Sequence, residues 1–124
     1  AMLAAVACGG AVGACARYGV VVAMGRLAPG FPLGVLAANV IGSFAIGAIV
    51  ALSAAKLDVP PELRALLTVG LLGAFTTFST FALDAVTLVE RDRTTAAALY
   101  VVLSVALSIG AVVGGLRLGR AFAG

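Results

Sequence analysis

Four apolar runs, each long enough to cross a bilayer, fill nearly all of this 124-residue chain. They cover about residues 2–25, 33–55, 63–89 and 95–118. A helix needs about 20 apolar residues to cross the hydrocarbon core. Short polar breaks separate the runs: Arg26 to Pro32 with two prolines and a glycine, Lys56 to Glu62 with two more prolines, and Glu90-Arg91-Asp92-Arg93. Backbone groups in lipid must be paired within the chain, so the runs are predicted to be helices. Barrel strands would be about half as long and would alternate in polarity. Charged residues make up 10% of the chain, against about 25% in a soluble domain, too few to cover a water-facing surface. The expected fold is an all-α membrane protein, a single four-helix transmembrane domain over residues 1–124. Successive helices are antiparallel neighbours because the breaks are short.

The same features exclude several functions. A signal peptide accounts for one apolar run, not four. The net charge of +3 comes from single Lys and Arg residues with no basic cluster, so no nucleic acid is expected as partner. There is no His, and Cys8 and Cys15 lie about 10 Å apart along one helix, too far for a disulfide within it. They read as small packing residues, and neither a zinc nor a redox site follows. With no His, no serine paired with a base and no metal cluster, an enzyme is not expected.

Lys and Arg beside the membrane ordinarily fix orientation. Both termini and the second loop share one side, which carries Lys56, Arg64, Arg117 and Arg120. The other side carries Arg26, Arg91 and Arg93, with Arg17 about two turns inside the first helix. This near balance predicts insertion in both orientations, and hence an antiparallel homodimer. Gly9 and Gly13, Gly110 and Gly114, and Gly115 and Gly119 form GxxxG pairs that let helix backbones approach closely.

The middle of the third run is unusual. Residues 70–81 hold two Gly, three Thr, one Ser and three Phe, a poor helix-forming mixture. Composition leaves two states open: a broken helix with freed carbonyls, or an unbroken helix whose hydroxyls bond back to their own turns. Further polar residues fall at membrane depth. Asn39 and Ser43 lie in the second run, while Tyr100, Ser104 and Ser108 recur every four residues in the fourth, along about 12 Å of one face. Such groups line a polar path or bond between helices.

In four places, in order, the sequence resembles the Fluc family of fluoride channels, also called CrcB proteins. Gly9, Gly10, Gly13, Arg17 and Tyr18 resemble its first-helix pattern. Asn39-Val40-Ile41-Gly42-Ser43-Phe44 resembles its second-helix asparagine motif. Residues 73–81, Gly-Ala-Phe-Thr-Thr-Phe-Ser-Thr-Phe, match its most specific signature, with Ala74 where many relatives carry glycine. Tyr100, Ser104 and Ser108 match its fourth-helix polar face.

The resemblance covers essentially the whole chain. It implies a multi-pass protein of the plasma (cell inner) membrane, an antiparallel dual-topology homodimer surrounded by lipid. Two pores would export fluoride passively and so relieve its toxicity, with the third helix broken near the membrane midplane. By resemblance, backbone carbonyls of Gly73 and Thr76 from both subunits hold a structural sodium ion at the dimer interface. Phe78 and Phe81 line the pore and Asn39 donates to fluoride. Ser79, Thr80, Tyr100, Ser104 and Ser108 supply hydroxyls along the path, and Arg17 sits at an aqueous vestibule.

The chemistry of these side chains suits fluoride. The ion holds its water strongly, so hydrogen-bond donors must replace that water: two N–H groups from Asn and one O–H from each hydroxyl. Aromatic ring edges are positive, and binding must stay weak enough for release. A small multidrug transporter, also four helices in an antiparallel dimer, needs a carboxylate in its first helix, and residues 2–25 contain none. A passive assembly subunit offers no reason for Asn39, the Thr/Phe segment and the serine stripe to occur together.

Overall fold

The structure is a computed structural model and describes residues 1–54 and 59–123. Lys56, part of the charge balance above, and Ala55, the expected last residue of the second helix, lie outside the described residues. All regular elements among the described residues are helical: α1 (Met2–Gly25), α2 (Leu33–Ala54), α3 (Pro61–Ala65), a π-helical segment (Leu66–Leu72), α4 (Gly73–Phe75), α5 (Ser79–Glu90) and α6 (Thr94–Ala123). Elements from Pro61 to Glu90 follow one another as a single span. Four helical spans are therefore long and apolar enough to cross a membrane: Met2–Gly25, Leu33–Ala54, Pro61–Glu90 and Thr94–Phe122.

Local chemistry sets the boundaries. Gly30 takes a φ of 86° in the first turn, and α2 begins directly after Pro32. Pro61 occupies the first turn of α3, where its missing N–H costs no helical bond, so the third span starts two residues earlier than residue 63. Asp92 takes a φ of 60° between α5 and α6, a left-handed conformation that Asp tolerates. There the N–H of Asp92 donates to Val89 O (3.0 Å) and that of Arg93 to Leu88 O (2.8 Å). The Arg93 guanidinium also donates to Gly30 O, tying the first and third turns together on one side of the bundle. The last helix runs beyond residue 118, past Arg120 to Ala123.

Packing relies on glycine where backbones meet. A Cβ on Gly47 would strike the backbone of Val112 and Leu116, and one on Gly115 that of Phe44 and Ala48, so α2 and α6 lie backbone against backbone. Gly9, Gly13 and Gly70 do the same for α1 against the π-helical segment. Gly9 and Gly13 are the buried residues of α1. Cys8 and Cys15, expected as packing residues, are free and exposed on that helix. Where the turns meet, Leu36, Leu88, Ala97 and Tyr100 form a buried cluster, with Phe31 and Phe81 packed on it.

The third span is broken, which resolves the choice left open by composition. After Phe75 the backbone turns extended at Thr76 (φ −90°, ψ 157°), and helix resumes at Ser79. The π-helical turn just before it was not anticipated. Leu66–Leu72 gives no compositional sign of it, and such bulges often accompany functional sites.

Candidate functional site

Beside the break lies an open cleft of ≈ 530 Å³. Three spans build it. From α2 come Asn39, Gly42, Ser43 and Ile46; from the broken span Thr68, Leu72, Gly73, Thr76, Thr77, Phe78 and Phe81; from α6 Ser104, Val105, Ser108 and Ile109. None of these side chains is charged.

Asn39 reaches across from α2 to the break and engages both backbone polar groups of one residue, Thr77. Its Oδ1 accepts the Thr77 N–H at 2.8 Å, and its Nδ2 donates to Thr77 O at 3.0 Å. One of its two N–H groups is thereby used, and one remains. Thr77 Oγ1 accepts the N–H of Thr80 at 3.2 Å, capping the start of α5. Thr76 and Thr68 bond back within their own helix, Oγ1 to Leu72 O (2.9 Å) and to Arg64 O (2.7 Å).

These bonds bear on the Gly73 and Thr76 carbonyls, and both residues line the cleft. In a continuous α-helix the carbonyl of residue i accepts the N–H of residue i+4. Gly73 would take the Thr77 N–H, which goes to Asn39 instead. Thr76 would take the Thr80 N–H, which goes to Thr77 Oγ1. Two neutral oxygen acceptors thus lose their helical donors beside the cleft.

Ser104 is 6% exposed and lines the cleft, and its Oγ is buried without a hydrogen-bond partner among the described residues. A buried unpaired hydroxyl costs about 1–3 kcal/mol, so such a group calls for an acceptor. Ser108 lies on the same wall. Tyr100, expected on that face, is instead fully buried, and its hydroxyl donates to Asp84 Oδ2 at 3.2 Å. Its ring stands edge-on to Phe31 (centroids 5.6 Å apart, 86°) and tilted against Phe81 (5.2 Å, 45°). Phe81 in turn meets Phe78 at 5.6 Å. Tyr100 therefore supports the aromatic wall from behind and does not line the cleft.

The remaining expected residues lie elsewhere. Arg17 and Thr80 share a second cavity of ≈ 240 Å³ with Ala14, Tyr18, Val21 and Val35. Ser79 is exposed, with its Oγ 3.5 Å from Thr77 Oγ1. The cleft therefore gathers Asn39, Gly73, Thr76, Phe78, Phe81, Ser104 and Ser108, but not Arg17, Ser79, Thr80 or Tyr100. Sequence reasoning missed Thr77, because nothing in two adjacent threonines says which one Asn39 reaches, and missed the Asp84–Tyr100 bond.

Four membrane-capable spans, one of them interrupted beside an uncharged cleft that holds amide, hydroxyl and aromatic groups, define a multi-pass helical membrane protein. The chain belongs to the CrcB family, whose sequence model, described as "CrcB-like protein, Camphor Resistance (CrcB)", matches residues 4–116. It is 51% identical over 119 residues, 95% of each chain, to an Agrobacterium fabrum protein named "Fluoride-specific ion channel FluC". Proteins of the same name from Paracoccus denitrificans (51% over 115 residues, 93% of this chain and 91% of the relative) and Rhodospirillum centenum (49% over 120 residues, 96% and 95%) are similar throughout.

Proposed function

We propose that this protein is a fluoride-selective channel that lets fluoride leave the cell passively across the inner membrane and so relieves fluoride toxicity. The observation that carries this reading is the buried, unpartnered Ser104 hydroxyl in a cleft that also offers the remaining Asn39 N–H and no charged side chain. Neutral donors can replace the water of a small, strongly hydrated anion. A fixed cation at the narrowest point would hold it too tightly for release. Phe78 and Phe81 add positive ring edges to that wall. The names of the relatives agree.

The working unit is an antiparallel dual-topology homodimer with two pores. Hydroxyls make poor contacts with lipid, and an open cleft containing Ser43, Thr76, Ser104 and Ser108 is satisfied by a second copy lying over it. The Gly73 and Thr76 carbonyls, deprived of their helical donors, suit a sodium ion at that interface. The donor set fits, since hard cations take oxygen ligands and the described residues contain no His/Cys/Asp/Glu cluster for a softer metal. Sodium bound there would supply positive charge to the freed carbonyls. Arg17 and Thr80, in their separate cavity, form a vestibule beside the path, with Ser79 close by; Tyr100 holds the aromatic wall.

The test is fluoride efflux from liposomes holding the purified protein, normalised to dimer recovered by size exclusion. Fluoride release with chloride retained is expected. Release no faster than from empty liposomes would overturn the channel reading.

A further inference from the structure

We propose that Asn39 and Thr77 are positioning residues for a cation: they intercept the two N–H groups that would otherwise satisfy the Gly73 and Thr76 carbonyls, and so create the oxygen site at the break. The inference rests on the sodium reading above and adds the residues that make the site.

The geometry is a pair of exchanges. Thr77 N–H leaves Gly73 O for Asn39 Oδ1, 2.8 Å away, and Thr80 N–H leaves Thr76 O for Thr77 Oγ1, 3.2 Å away. Each exchange keeps the donor satisfied and strands one carbonyl. The Thr77 carbonyl is served as well, by Asn39 Nδ2 at 3.0 Å. Backbone acceptors away from water need partners, and Gly73 and Thr76 both line the cleft. Asn39 therefore has two duties on two faces of its amide. Its oxygen and one N–H hold the break; its other N–H remains for an anion. A simpler role, bonds that merely stop the break from fraying, makes a different forecast for cation affinity.

The substitutions separate acceptor from donor. Asn39→Asp keeps an oxygen for Thr77 N–H but removes the N–H groups. Asn39→Leu removes both, freeing Thr77 N–H to return to Gly73 O. Thr77→Ser keeps the capping hydroxyl, and Thr77→Val removes it at similar volume. The experiment titrates purified dimer with sodium chloride, following sodium-23 NMR line broadening, with hydrogen exchange of the Thr77 amide as a second reading. Asn39→Asp and Thr77→Ser are expected to bind sodium within a few-fold of the unaltered protein. Asn39→Leu and Thr77→Val should weaken it about tenfold or more, the effect of one misplaced hydrogen bond.

Asn39→Asp should also lose fluoride flux while keeping sodium, a split that a fraying role does not produce. Unaltered sodium affinity in Asn39→Leu and Thr77→Val overturns this proposal and leaves the channel reading intact. Failure of the unaltered protein to bind sodium overturns both this proposal and the sodium reading, while fluoride efflux still decides the channel. If Asn39→Leu yields no dimer, the Thr77 pair decides alone.

Discussion

Single residues in the cleft divide by whether they serve the fold or the path. Ser104 has a buried hydroxyl with no partner among the described residues, so Ser104→Ala removes a desolvation cost and loses no bond seen there. It is expected to leave thermal stability unchanged or raise it by up to about 1 kcal/mol, and to reduce fluoride efflux per dimer modestly, since Ser108 and Asn39 remain. A fall in stability with normal flux would return Ser104 to a packing role. The two phenylalanines should separate in the same way. Phe78 is 79% exposed, whereas Phe81 stacks on buried Tyr100. Phe78→Ile and Phe81→Ile should both reduce flux strongly, because Ile keeps apolar bulk and lacks a ring edge. Phe81→Ile loses its pairs with both Tyr100 and Phe78 and should also cost about 1 kcal/mol or more of stability, whereas Phe78→Ile loses one exposed pair and should cost less. Efflux and thermal unfolding in the same detergent check both outcomes; normal flux per dimer in both variants would refute the pore assignment.

At the scale of the helices, contact between backbones sets tolerance to substitution. A Cβ on Gly13 would strike the backbone of Leu71, whereas one on Gly19 or Gly110 meets nothing within 4 Å. Gly13→Ala is expected to destabilise by about 1–3 kcal/mol by pushing α1 off the π-helical segment. Gly19→Ala and Gly110→Ala should be neutral or stabilising by up to about 1 kcal/mol, the helix-propensity gain over glycine. Chemical denaturation of the three variants reads this directly. These neighbours also explain what could be read in advance. Spans were legible because lipid imposes one pattern, twenty apolar residues between polar breaks. Poor helix formers at residues 70–81 marked the broken region but could not exclude a continuous helix. What decides it is Asn39, a side chain 38 residues away from Thr77, and no local pattern contains that pairing. The π-helical turn was illegible for the same reason, since close approach to Gly9 and Gly13 of another span accompanies it. Tyr100 kept period with Ser104 and Ser108, yet Asp84 and Phe81 draw it into the protein.

For the whole molecule, orientation is the open variable. The Lys and Arg balance predicts both topologies, which single reporter cysteines can test in a chain lacking Cys8 and Cys15. Reporters at residue 28, in the first turn, and beyond residue 118 should each be labelled from both faces of the native membrane. One-sided labelling would remove the antiparallel dimer. A last consequence concerns synthesis. The glycine-lined seam joins α2 to α6, spans separated by the whole of the third one. While the ribosome is still making α3 to α5, the partner of α2 does not yet exist, and the Gly47 face is left against lipid or the insertion machinery. Nascent chains stalled before residue 94 should therefore be short-lived in cells and readily cleaved by membrane proteases, and protection should rise steeply once α6 has cleared the ribosome rather than in four equal steps. The last helix made is the one that locks an early one in place.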